Sequence, residues 1–230
     1  SVNLPSSYGP AETATFLRQF VEAARLLPPV REAGAVSSRP LTGDNTGLGI
    51  VRPDDPQPDG GIPWATWRLV TPGYFAAMGL PLLRGRLLDE TDEVPASDQD
   101  PVRVVISERL AELLWPGEDP IGRTALLWAG QDNRPGEVVG VVGDMLEQGL
   151  DADPTLAVYI PYYGVPWSPS FVLHTSGDPT AVVPSLRTVL AELDPALPLS
   201  NVGTLEEIVG SSVASRRFIV ALVGLFAAVA

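Results

Sequence analysis

The sequence predicts an α+β fold in which a split βαβ subdomain is interrupted by a second, mixed α/β lobe. Three observations carry this prediction. A strand–helix–strand pattern opens the chain, the same pattern returns near its end, and the long stretch between them has a different character. Two such units can join into one sheet with both helices on one face. Hydrophobic residues make up 45% of the 230 residues and charged residues 19%, so the chain can fill a real core and is not disordered as a whole.

The elements follow in order. Residues 2–4 suit a short strand. Over 11–27, Phe16, Leu17, Phe20, Val21, Ala24 and Leu27 recur at helical spacing, and Pro28-Pro29 stops the helix. Residues 30–36 suit a strand. Residues 41–63 are rich in Gly and Pro with almost no apolar periodicity, which predicts a long surface loop. A strand follows over 64–70. Thr71 can cap a short helix with Pro72 in its first position, and Gly79 can end it in the left-handed conformation. A strand is expected over 80–83, and the acidic run 89–101 reads as an exposed loop. Next come a strand over 102–106, Ser107 as a helix cap, and an inward helix face of Leu110, Leu113 and Leu114 that ends at Pro116-Gly117. Strands are also expected over 138–142, 157–160 and 171–175. Asp178-Pro179 starts a helix whose stripe is Val182, Leu186, Val189, Leu190 and Leu193. Pro184 marks its start or a kink, and Asp194-Pro195 ends it. A closing strand is expected over 199–202, and Thr204 with Glu207 form a capping box for a last helix. Residues 1–45 and 168–205 therefore make one subdomain. Residues 46–167 make the inserted lobe, led in by the Gly/Pro-rich loop, and 206–230 a C-terminal helix.

Charge and composition exclude several functions. With 28 acids against 15 bases the net charge is −13, which repels nucleic-acid backbones and anionic lipids, so no nucleic-acid partner is expected. Every base is Arg, which with the many Ala, Gly and Pro residues points to a GC-rich genome. The absence of Cys removes disulfides, thiolate catalysis and Cys-ligated zinc, and the single His174 removes any two-His metal site. No cofactor is expected. The start of the chain carries no basic region followed by an apolar run, so no signal peptide is read there. Residues 218–230 (FIVALVGLFAAVA) hold no polar side chain, yet a span needs about 20 apolar residues. Because every face is apolar, this tail reads as the start of a truncated transmembrane span. The alternative is a helix buried in its own domain or in a dimer.

The candidate motifs carry little chemistry. Gly140 and Gly143 in EVVGVVGD lack the Lys of a phosphate loop and read as a strand ending in a turn. Asp89, Glu90, Asp92 and Glu93 could offer oxygen ligands to a hard cation. They lack the spacing and Gly of a calcium loop, and read as a solvated loop. His174 has no G-x-S-x-G nucleophile to serve and reads as a sheet-face or surface residue. Trp64 and Trp67, with the clustered Tyr159, Tyr162, Tyr163 and Trp167, can line a ligand or partner surface, and are equally ordinary as core residues. No active site emerges.

Several phrases in their order and spacing resemble a known family. They are VTPGYFAAMGLPLLRGR (70–86), VVISERLAELLWPGEDPIGR (104–123), EVVGVVGDMLEQGLDADP (137–154), VYIPY (158–162), HTSGDP (174–179) and LDPALPLSNVGTLEEIV followed by SRRF. Together they resemble the MacB-like periplasmic core domain of FtsX-like ABC transporter permeases, with a flavour of the duplicated orphan permeases. The resemblance implies a non-catalytic, extracytoplasmic α+β domain between the first and second membrane spans. It would have a discontinuous, ferredoxin-like, porter-type subdomain and an inserted lobe. It implies location in a bacterial cytoplasmic (inner) membrane, facing the periplasm or outside, and a cytoplasmic ATPase domain or subunit as indirect partner. A periplasmic adaptor protein and a permease dimer are further implied partners, and mechanotransmission toward export the implied role. The family brings no catalytic residues. Arg216-Arg217 would lie outside the membrane, against the positive-inside tendency. The competing expectation is a freestanding small-molecule-binding or sensory domain, with a hydrolase around His174 more distant still. On this reading the partner or ligand surface comprises Trp64, Trp67, Tyr162, Tyr163 and Trp167.

Overall fold

Among the described residues, hydrogen bonding links nine strands into one continuous network, and part of it closes on itself. The computed structural model describes residues 1–40, 46–145, 155–208 and 210. Helix α1 (Pro10–Arg25) leads into β1 (Val30–Val36), β2 (Gly47–Val51) and β3 (Trp64–Val70). Helix α2 (Tyr74–Met78), β4 (Leu82–Gly85), β5 (Val102–Ser107) and α3 (Glu108–Leu114) follow. Then come β6 (Thr124–Leu127), β7 (Arg134–Val142), β8 (Ala157–Pro161) and β9 (Ser170–Thr175). A 3₁₀ turn (Pro179–Val182) leads into α4 (Val183–Leu193).

The first half of β2 pairs with β3 and its second half with β6. From β6 the pairing runs through β7, β5 and β8 back to β3. This ring is a small closed barrel. Its pleat sends alternate residues inward. Leu48, Ile50, Ala65, Leu69, Val104, Ile106, Ala125, Leu127, Val138, Val158 and Ile160 thus share one buried cluster. Outside the ring, β4 extends β7, while β1 joins β3 only at Val36–Val70 and carries β9 on its far edge. Helices α1 and α4 pack on one another, and α1 lies on β1. Phe20 meets Phe171 of β9 with ring centroids 4.1 Å apart. The opposite face is covered by α2, whose Tyr74 and Phe75 are fully buried with Tyr159 and Val172.

The fold is mixed α+β, and most of the expected elements form where the periodicity puts them. Gly79 ends α2 with φ 68°, as read from the sequence. Asp178 caps the 3₁₀ turn through Thr180 N–H, and the helix changes type next to Pro184. Thr204 and Glu207 form the capping box reciprocally, at 2.9 and 3.1 Å. Other expectations are corrected. The stretch 41–63 is not all loop, because it contains β2, one of the most buried strands. Its glycines signal close packing and not a turn: a side chain at Gly47 would collide with the indole of Trp64. Strand β6 also went unread. Residues 2–4 and 199–202 form no strands, only a single bridge between Val2 and Leu199. Thr71 does not cap α2, since its Oγ1 accepts Ala35 N–H at 2.8 Å, a link between strands that sequence spacing cannot show. Ser107 precedes α3, but its Oγ accepts the N–H of Ala157. The expected strand at 80–83 forms two residues later.

Among the described residues no helix is long and apolar enough to cross a membrane. The apolar tail 218–230 lies outside the described residues.

Candidate functional site

The aromatic residues singled out by sequence separate into two buried tyrosines, a partly buried tryptophan and two exposed tryptophans. Tyr162 and Tyr163 are fully buried, directly after β8. The Tyr162 hydroxyl donates to the Trp167 carbonyl at 3.2 Å, and burial pushes its pKa far above the ordinary tyrosine value. Tyr163 receives the Arg18 guanidinium over its ring, 4.1 Å from the centroid. Burial, together with Glu90, also raises its pKa strongly. Neither phenol is a surface group. Their role in any recognition surface is to hold what lies above them.

Trp67 packs against the barrel core and stands edge-to-face with two other indoles, Trp167 at 5.6 Å and Trp128 at 6.1 Å. Trp128, at the end of β6, has φ 52° and belongs to this cluster although the sequence reading missed it. A lone Trp between Leu and Ala gave no signal of spacing. Trp167 is 48% exposed and Trp64 64% exposed, with Ile62 also open to solvent. Trp64 lies on the other face of β3 from Trp67, its Nε1 filling the space beside Gly47. Exposed indoles on a rigid strand and on a hydrogen-bonded turn suit contact with a partner more than chemistry.

The remaining candidates are structural in geometry. Asp92 is a buried carboxylate gripped by Arg86 at 2.6 and 3.0 Å, by Arg103 at 3.4 Å and by Asp89 N–H at 2.9 Å. Burial pulls its pKa upward, but the Arg86 and Asp89 hydrogen bonds outweigh this and hold it below the usual carboxylate range. Glu90 and Glu93 of the same loop pair with Arg18 of α1 at 3.2 and 3.1 Å. The acidic run is therefore an ion-paired buttress between α1, β4 and β5. Among the described residues no group of three or more His, Cys, Asp or Glu is placed to hold a metal. His174 is an exposed residue of β9. Gly140 lies within β7, where a side chain would strike the Arg86 carbonyl.

Residues 3–198 match the MacB-like periplasmic core domain. The chain belongs to this family. As a MacB-like periplasmic core domain it is a part of an ABC transporter permease, facing outward from a membrane. No curated protein matches it. Similar solved structures include two permease outer domains. The periplasmic region of MacB from Actinobacillus actinomycetemcomitans superposes with a TM-score of 0.51 at 19% identity, covering 88% of this chain and 81% of that one. The extracellular domain of the noncanonic ABC-type transporter YknZ from Gram-positive bacteria gives 0.50 at 17% identity, with 86% and 97% covered. These likenesses extend to the fold.

Proposed function

We propose that this MacB-like domain is a non-catalytic mechanical element. It passes motion driven by a cytoplasmic ATPase to the outer side of a bacterial inner membrane, toward export or toward a periplasmic adaptor. The family match over nearly the whole chain carries this reading. Two features of the architecture support it. The β1–β9 pair and its helices are joined to the closed barrel by the β1–β3 pairing around Val36–Val70 and by α2, which packs on both β1 and β9, so motion of one part is carried directly to the other. The Arg18 ion pairs clasp α1 to the loop 89–101 across that junction. The two parts correspond to 1–45 with 168–205 and to 46–167. The split βαβ reading of the first is supported by the antiparallel contacts Val2–Leu199 and β1–β9. Trp167, backed by Trp67, Tyr162 and Tyr163, faces a partner on one side, Trp64 offers a second contact on the opposite face of β3, and the permease works as a dimer.

The absence of Cys allows a direct test in the parent permease. Arg18→Cys with Glu90→Cys, bridged by a reducible bis-methanethiosulfonate reagent that spans the length of the Arg–Glu pair, locks α1 to the loop. Locking is expected to abolish export while leaving ATP hydrolysis in place, with recovery on reduction. Export that continues under the lock overturns the coupling role. Trp64→Ala with Trp167→Ala should leave the melting temperature within about 3 °C, as expected for exposed positions costing under about 1 kcal/mol, and should reduce export.

A further inference from the structure

Strands β2 and β3 form a hairpin whose tip is residues 52–61. Gly47, Leu48 and Gly49 stand opposite Thr66, Ala65 and Trp64, and Ile50 N–H donates to Pro63 C=O at 3.0 Å. Leu48, Ile50 and Ala65 point into the barrel core, so Gly47, Gly49 and Trp64 share the outer face. Two glycines leave bare backbone there, and large side chains lie down on it. A Cβ on Gly47 would strike the Trp64 indole, and one on Gly49 would come within 2.8 Å of the Ile62 Cγ2. Trp64 nevertheless stays 64% exposed and Ile62 43% exposed. Among the described residues neither another ring nor a cation packs on the Trp64 indole. An apolar pair pinned in place but open to solvent has already lost its rotamer freedom, as an anchor for a partner should.

The charge beside this pair decides what covers it. The hairpin tip carries Asp54, Asp55 and Asp59 against the one base Arg52, a net charge of −2. Arg52 reaches Asp54 at 3.5 Å and Asp55 at 3.9 Å, both long for an ion pair, and Asp54 is 76% exposed. Pro53, Pro56 and Pro58 restrict the tip backbone. A second copy would bring the same negative tip and the same −13 net charge, and an anionic lipid surface is repelled for the same reason. A guanidinium suits both parts of the surface, since it stacks on an indole face and pairs with carboxylates.

We infer that the outer face of the β2–β3 hairpin docks a basic segment of a partner protein. One Arg of that segment lies over the Trp64 indole, an apolar neighbour meets Ile62, and further bases face the tip carboxylates. The inference deepens the reading of Trp64 as a partner contact and rests on it. Gly47 and Gly49 are positioning residues: they touch no partner, but they hold the indole and the Ile62 side chain flat.

The test uses the 230-residue chain with 5-fluorotryptophan at its five Trp positions, titrated with an octapeptide of alternating Arg and Leu. The fluorine resonance assigned to Trp64 by Trp64→Phe should shift, while that of the buried Trp115 should not. Asp54→Asn with Asp55→Asn and Asp59→Asn should weaken binding about tenfold. Glu12→Gln with Glu22→Gln and Glu192→Gln removes the same charge from exposed sites elsewhere and should leave binding within about twofold. Gly47→Ala should lift the indole from its bed and weaken binding as well. An unmoved Trp64 resonance overturns the inference, as does equal weakening by the two triple variants, which would mean diffuse attraction to an acidic chain. An equal shift with a Glu–Leu peptide also overturns it. A shift on raising chain concentration alone would assign the face to a second copy, and one on adding phosphatidylglycerol vesicles to a membrane. Export plays no part in this readout, so the α1–loop lock and the peptide titration fail separately.

Discussion

Asp92 shows how much one side chain holds in this domain. Its carboxylate is fully buried while its Arg partners are half exposed, and it accepts four hydrogen bonds that together shape the turn after β4. Asp92→Asn keeps the volume but removes the charge and turns one acceptor into a donor. It should cost about 2–3 kcal/mol in denaturant unfolding, the range for breaking a buried charge-assisted network. The sign of the pH dependence follows from the lowered pKa. Stability from Asp92 is fully present above the unfolded carboxylate value of about 4 and is lost as pH falls through the lower folded value. Unfolding free energies measured from pH 7 down to pH 3 should therefore fall less steeply in the variant. An equal slope would show that other carboxylates carry the acid sensitivity.

Between elements, β1 and α2 approach closely. A side chain on Gly34 would come within 2.3 Å of the Tyr74 backbone nitrogen and 2.5 Å of its Cα, and backbone atoms cannot step aside. The Thr71 Oγ1 bond to Ala35 N–H ties the same two segments together. Gly34→Ala should destabilise by about 2–3 kcal/mol, as overpacking of a well-filled contact does. Far-UV and near-UV circular dichroism on thermal unfolding would check this. A variant as stable as the parent would mean that α2 can lift away from the sheet. The same crowding explains the misread segment 41–63. Gly47 and Gly49 leave room for Trp64 and Ile62, so composition signals a loop where packing makes a strand.

Across the whole molecule, charge opposes compaction. A net charge of −13 repels itself, whereas the exposed Arg18, Arg52 and Arg123 pairs attract locally and weakly. Raising salt from 0.01 to 0.15 M shortens the screening length from about 30 to about 8 Å. The long-range repulsion is screened more than the contact pairs, so the melting temperature should rise by about 2–4 °C, equivalent to about 1 kcal/mol for a domain of this size. A fall would mean that the surface pairs outweigh the repulsion.

What could be read from residues alone was local. Helix periodicity over 11–27, the Gly79 C-cap, the Asp178 start and the Thr204–Glu207 box depend on neighbours a few residues away, and the structure has them all. The family, too, was legible, because its phrases are short and keep their order. Barrel closure, the burial of Tyr162 and Tyr163, the inclusion of Trp128 and the ion pairing of the acidic run were not. Each depends on partners far along the chain, such as Arg18 with Glu90, or Leu127 with Ile50. Spacing and composition encode what a residue prefers over one or two turns of chain. Which distant surface it meets is decided only when the strands pair and close the barrel.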